Sequence, residues 1–253
     1  MSRVLELDRV GKRYGRGPWV LREVDLGLDP GELLVVTGGN GSGKSTLLRI
    51  IAGVSAPTEG RVLGRPRAVG YVPERFPSGM RLSTRDYLRH QAAIRRAEPS
   101  GDVLDRLGFH GDATAPMATL SKGNAQKVAV AQALLATDLV VLDEPWTGLD
   151  AEASAVLGDL LIGRTVVVTD HRGQARGLPG AREIRFGAPA QAPPVAIELD
   201  RVGELIDVIR ELDGVVGAKA DDGRVSLLVD PHASDRVLAE ALRLGCSVRS
   251  VKS

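Results

Sequence analysis

A glycine-rich loop, Gly38-Gly39-Asn40-Gly41-Ser42-Gly43-Lys44-Ser45-Thr46, follows the apolar run Leu33-Leu34-Val35-Val36 and precedes Leu47-Leu48-Arg49-Ile50-Ile51. A buried strand, a tight loop and a helix in that order commit this part of the chain to an α/β fold. Gly38, Gly41 and Gly43 admit backbone conformations closed to other residues, so successive N–H groups can turn inward around a polyphosphate. The helix beginning near Lys44 adds its positive end. Lys44 is placed to reach the outer two phosphates as a mobile charge, and the Ser45 hydroxyl to ligate a magnesium ion bridging them.

Two further strand ends carry reactive side chains. Leu139-Val140-Val141-Leu142 is followed by Asp143-Glu144-Pro145, two adjacent carboxylates at the edge where open α/β sheets bind ligands. Asp143 suits a metal ion opposite Ser45, and Glu144 suits proton acceptance from an attacking water. Thr165-Val166-Val167-Val168-Thr169-Asp170 leads to His171, whose imidazole is expected near the terminal phosphate. Leu120-Ser121-Lys122-Gly123-Asn124 opens a long helical pattern with Ser121 as N-cap, and its free N–H groups form an anion site that Ser121 and Gly123 leave uncrowded.

The remaining sequence bounds the alternatives. Lys plus Arg number 33 against 32 for Asp plus Glu, so no whole-chain field draws the protein to nucleic acid, and no direct nucleic-acid partner is expected. No stretch approaches the ~18 to 20 uninterrupted apolar residues of a membrane helix, and the N-terminus lacks a secretory core. The lone cysteine, Cys246, fits a reducing compartment, most simply the cytosol.

Val4 to Val10 alternates like a half-exposed strand and predicts an antiparallel edge, while Arg61 to Leu63 predicts a short strand. Helical spacing over Arg85 to Ala97 and Val103 to Leu107 predicts a helical insertion at about 77–136 within a first domain, 1–187. Residues 188–194, Ala-Pro-Ala-Gln-Ala-Pro-Pro, read as a linker. Beyond it, 195–253 reads strand, helix, strand, strand, helix, strand, the order of a small α+β ferredoxin-like domain, with Pro231-His232 too little to make a site. That unit is expected to serve packing or dimer stability, with a ligand sensor as the alternative.

Taken in order, these motifs resemble the ATP-binding subunit of ABC transporters over roughly residues 3 to 185. Gly38 to Thr46 is similar to the Walker A loop, Leu139 to Glu144 to Walker B, Leu120 to Asn124 to the signature, Gly148-Leu149-Asp150 to the D-loop and His171 to the switch histidine. Tyr14 resembles the aromatic residue that stacks on adenine. The resemblance implies a P-loop NTPase with a mostly parallel sheet, an ATP and magnesium site, and a head-to-tail dimer with itself or a homologous subunit. In that dimer Ser121 and Gly123 act in trans. It also implies a permease on another chain, and so a cytoplasmic location on the inner face of the membrane.

Two motifs depart from the pattern. Glu74, in Tyr71-Val72-Pro73-Glu74, stands where the family usually has a metal-facing glutamine, and Lys122 and Asn124 replace a glycine and a glutamine of the signature. These variants resemble the exporter branch with separate membrane subunits and a small C-terminal extension, so the expected function is ATP-driven export. A soluble ABC ATPase working on a protein or nucleic-acid complex is the alternative, and a small-molecule phosphotransferase explains the signature less well.

Overall fold

The computed structural model describes residues 3–98, 101–171, 173–186, 195–200, 202, 205–221, 224–229 and 233–252. The chain divides into two compact units, Met1–Ala188 and Pro189–Ser253. The expected linker at 188–194 and the Pro231-His232 pair lie outside the described residues.

The first unit opens with β1 (Leu5–Arg13), β2 (Trp19–Leu28), β3 (Leu33–Thr37), α1 (Lys44–Ile51), β4 (Glu59–Leu63) and β5 (Val69–Val72). It continues with α2 (Thr84–Arg95), α3 (Gly101–Arg106), α4 (Lys122–Ala133), β6 (Leu139–Leu142), α5 (Ala151–Leu161), β7 (Val166–Thr169) and β8 (Ala181–Arg185). Five strands form a sheet in the order β5-β6-β7-β3-β8, with every neighbouring pair parallel. Parallel strands covered on both faces need apolar residues at every position, and β3, β6 and β7 are buried throughout. Successive side chains enter opposite cores. Val35, Val140 and Val166 pack with Ala129 and Val130 of α4 and Leu157 of α5, whereas Leu34, Val141 and Val167 pack with Leu47 and Ile50 of α1 and with β1 and β2.

The antiparallel strand expected at the start is the middle strand of a separate sheet, β2-β1-β4. The sequence pattern did not disclose β2. Glu23 (φ 48°) and Arg9 (φ 45°) sit in the left-handed region at a register shift, where the Arg9 N–H donates to the Asp25 carboxylate at 2.7 Å. These bulges break the period-two pattern on both strands. The edge strands β5 and β8 were also unread, because the glycine of Val-Gly-Tyr-Val and the charged residues of Ala-Arg-Glu-Ile-Arg break any continuous apolar run.

α2 starts at Ser83, whose hydroxyl accepts the Asp86 N–H at 3.1 Å. Leu88, Leu104 and Met117 form a small core with Val128 and Ala131 of α4. α4 is therefore buried towards the sheet and towards the insertion, which explains why its sequence shows no amphipathic stripe.

The second unit contains β9 (Val195–Asp200), α6 (Ile206–Arg210), β10 (Val215–Asp221), β11 (Arg224–Val229), α7 (Ser234–Arg243) and β12 (Ser247–Lys252). Its antiparallel sheet runs β10-β11-β9-β12. Val195, Ile197 and Leu199 alternate with half-exposed residues and join Leu227, Ile209, Val237 and the buried Cys246 in one core.

Candidate functional site

The strands β3, β6 and β7 lie side by side and parallel, so the loops after them emerge at one edge. There Asn40 to Thr46, Glu74, Asp143, Glu144 and His171 line a single cleft of about 1080 Å³. Gly43 makes the first wall possible. It is the N-cap of α1 with φ 94°, and a Cβ there would meet the Val20 carbonyl oxygen at 2.8 Å. Lys44, 8% exposed, donates from Nζ to the Gly38 and Gly39 carbonyl oxygens at 2.9 Å each. The Ser42 hydroxyl is buried in the loop without a partner.

The opposite wall is built around Thr169, which is fully buried at the end of β7. Its hydroxyl donates to Asp143 Oδ1 at 2.8 Å and accepts the Glu144 N–H at 2.8 Å. One threonine thus fixes both carboxylate residues, and sequence reading gave it no role. Asp143 Oδ2 is left buried with no partner, a donor that fits a cation. Glu144 adopts φ 53°, a conformation uncommon for a residue with a side chain and characteristic of functional loops. Glu144 Oε1 lies 3.3 Å from His171 Nε2, at ion-pair range without hydrogen-bond alignment, so it too is buried with no hydrogen-bond partner. The His171 N–H donates to Glu144 Oε2 at 3.3 Å. Burial pushes the Glu144 carboxyl above its ordinary range. The His171 N–H and ring oppose that shift, and the charges of Asp170 and Asp143 reinforce it.

Gly38, Tyr14, Ser121 and Gly123 lie outside this lining. Gly38 borders an adjoining recess of about 340 Å³ with Thr37, Asp170 and His171. Tyr14 is 52% exposed, its hydroxyl 3.5 Å from Thr46 Oγ1 and its ring 5.1 Å from Lys12 Nζ. It stands beside the phosphate loop with one face near a cation, a geometry compatible with a planar base. Ser121 is the N-cap of α4 and accepts the Asn124 N–H at 3.2 Å. Gly123 has an intrachain reason to lack a side chain, since a Cβ there would sit 2.9 Å from the Gly148 carbonyl oxygen.

Three polar side chains of α4, unremarked in the sequence, tie this helix to the site. Gln126 Nε2 donates to the Pro145 carbonyl at 2.9 Å, and Gln132 Nε2 to the Tyr71 carbonyl at 2.8 Å. Lys127 donates to Gly108 O at 2.8 Å and to Asp150 Oδ2 at 3.0 Å. Asp150 in turn caps α5 through the Ala153 N–H at 2.8 Å. Their only sequence signal is a polar residue recurring inside an otherwise apolar helix.

The family model described as ABC transporter matches residues 21–147. The zinc import ATP-binding protein ZnuC of Yersinia enterocolitica is 34% identical over 181 residues, covering 68% of this chain and 71% of the relative. The ZnuC protein of Paramagnetospirillum magneticum is 38% identical over 167 residues, covering 64% of this chain and 63% of the relative, slightly under two thirds. Among solved structures, the dimeric bacterial ABC transporter cassette MJ0796 is 27% identical with a TM-score of 0.64, covering 73% of this chain and 95% of the cassette. The same cassette as a post-hydrolysis dimer bound to ADP and Pi gives a TM-score of 0.62 at 27% identity, over 72% of this chain and 94% of the cassette. The fold is that of a P-loop NTPase of the ABC type, with mixed parallel and antiparallel strands and helical insertions.

The exporter branch expected from Glu74 and from Leu120 to Asn124 is overturned, because these sequence relatives are import proteins. The physical reason is local. Glu74, Leu120 and Lys122 line the same cleft as Asn40 to Thr46, so their identities belong to that cleft and carry no record of the direction of a cargo.

Proposed function

Because this chain belongs to the ABC transporter family, we propose that its ATPase cassette powers a membrane transporter of the importing kind, by ATP-driven closure of two cassettes. No helix among the described residues is long and apolar enough to cross a membrane, which fits a separate permease subunit. The relatives' cargo, zinc, makes a divalent metal ion the cargo class to test first. The observation that carries the reading is the convergence of Asn40 to Thr46, Asp143, Glu144 and His171 on one cleft, with Asp143 Oδ2 and Glu144 Oε1 buried and without a hydrogen-bond partner.

In this reading the loop N–H groups, Lys44 and the Ser42 hydroxyl hold the phosphates, and Tyr14 stacks on the adenine. Ser45 and Asp143, with Glu74 in the same cleft, would hold a magnesium ion, which would supply charge neutralisation at the outer phosphates. Glu144 orients a water for in-line attack. The water oxygen bonds to the γ-phosphorus, the bond to the β–γ bridging oxygen breaks, and the water proton passes to the Glu144 carboxylate, giving ADP and inorganic phosphate. The raised pKa of Glu144 makes it a stronger proton acceptor. His171 steadies both Glu144 and the terminal phosphate. Ser121 and Gly123 face the nucleotide of the second cassette.

The test is Glu144→Gln, which keeps the shape and removes the base. ATP binding is expected to persist, phosphate release to fall at least about a hundredfold, and an ATP-dependent dimer to accumulate in light scattering. Full hydrolysis by a persistent monomer would remove the reading.

A further inference from the structure

The sheet β10-β11-β9-β12 carries the core of the second unit on one face only. Strand alternation assigns the central residues of the open face: Ala196, Glu198 and Asp200 on β9, and Arg224, Ser226 and Leu228 on β11, each between buried neighbours. Register sets them in three rows, Leu228 beside Ala196, Ser226 beside Glu198, and Arg224 beside Asp200 at 3.6 Å. The face therefore grades from apolar to charged along the strands. Leu228, 45% exposed, leans over Gly217 of β10, where a Cβ would come within 3.6 Å of Leu228 Cδ1. In the third row the sign of charge changes between the two central strands.

A face with this pattern matches itself. A twofold axis lying in the face, parallel to the strands and midway between β11 and β9, lays β11 of one copy on β9 of another. Leu228 then meets Ala196, Ser226 meets Glu198 and Arg224 meets Asp200, each pair occurring twice. The four charges of the third row alternate in sign around the axis. An axis running across the strands along that row would instead set Arg224 on Arg224 and Asp200 on Asp200. One running along the middle row would set both charges on Leu228 and Ala196. Only the first axis satisfies every row, and it keeps the strands of the two sheets aligned, as face-packed sheets prefer.

We propose that this open face docks on the same face of a second copy of the chain, with Arg224 of each copy opposite Asp200 of the other. Four strands about 4.8 Å apart and six residues at about 3.4 Å span about 20 Å by 20 Å. That footprint is well under the roughly 800 Å² per partner of a free-standing interface, so the contact is weak and reversible. Its use rests on the paired cassettes proposed above. Two copies already serving one transporter stand at an effective concentration near 1 mM, and a weak contact independent of nucleotide then keeps them paired while the cassettes are apart.

The experiment is sedimentation equilibrium of the full chain without nucleotide, at concentrations up to about 1 mM. It compares wild type, Arg224→Asp, Asp200→Arg and an equal mixture of the two variants, with hydrogen exchange confirming that the 195–252 unit of each variant is folded. Wild type is expected to form a dimer that weakens as salt is raised. Each variant alone sets like charges together at two contacts and is expected to associate at least about tenfold more weakly. In the mixture every facing pair is again of opposite sign, and association is expected to return to within about threefold of wild type. Wild type that stays monomeric overturns the proposal. Variants that associate as wild type does overturn it by placing the contact elsewhere, and a mixture no tighter than its components overturns it by confining the charges to one sheet. Because no nucleotide is present, failure of Glu144→Gln to dimerise with ATP would remove the ATPase reading and leave this docking face standing.

Discussion

The two units build their sheets from different strands, continuously apolar at the centre of the first and alternating in the second, and put them to different use. In the first unit β3, β6 and β7 run parallel and are buried on both faces, so their carboxyl ends meet at one edge and deliver the phosphate loop, Asp143 with Glu144, and His171 to one cleft. In the second unit all four strands are antiparallel, so successive strand ends alternate between opposite edges. One face of that sheet carries the helices and core, and the other carries ion pairs from Asp200 to Arg224 and Arg249, and from Glu198 to Lys252. The difference teaches that strand direction decides where chemistry can gather, and that strand composition records which direction the strands run.

The sharpest way to break that comparison is Lys44→Ala. Lys44 is the loop's cation and is bonded to two carbonyls of its own loop, so its loss removes charge from the cleft without touching the antiparallel sheet. ATP hydrolysis is expected to fall at least about a hundredfold, the magnitude found when one preorganised charge-stabilising donor is deleted. The thermal transition of the 195–252 unit, followed by hydrogen exchange, is expected to stay in place.

The same contrast explains what could be read from sequence. The phosphate loop was legible because its spacing encodes a backbone path, and Asp143, Glu144 and His171 because each follows an apolar run that only a buried parallel strand tolerates. The six elements after residue 194 were legible because half-buried strands alternate and amphipathic helices do not. Thr169 was hidden, since a threonine closing a β-branched run looks like one more strand residue until its hydroxyl is seen between Asp143 and Glu144. Gln126, Lys127 and Gln132 were hidden because α4 is buried on two sides and shows no polar face from which to distinguish them. β2 was hidden by its bulges. The exporter branch was misread because Glu74, Leu120 and Lys122 of the two variant motifs used for it line the same cleft as the phosphate loop.

A smaller effect tests whether the second core stands alone. Leu227 is fully buried and opposite Ile197 in the sheet register. Leu227→Ala is expected to cost the 195–252 unit about 2 to 5 kcal/mol, the transfer loss plus the cavity left behind, with ATP turnover unchanged in phosphate-release assays. Turnover falling in step with that unit's stability would show that its packing supports the cleft, and the contrast between the units would lose its force.

The smallest effect concerns the open face of the antiparallel sheet. Asp200 lies 3.6 Å from Arg224 and 3.7 Å from Arg249, on strands either side of its own, so the three charges form a row across the sheet. All three side chains are more than one third exposed, which lets water and salt screen them. Arg249→Ala is therefore expected to change the unit's stability by less than about 1 kcal/mol, with the difference vanishing at high salt in a denaturant titration of dilute protein. A larger and salt-independent loss would mean that this face is covered even in dilute protein. The charge row would then belong to a permanent interface, and the antiparallel sheet would have a buried second face after all.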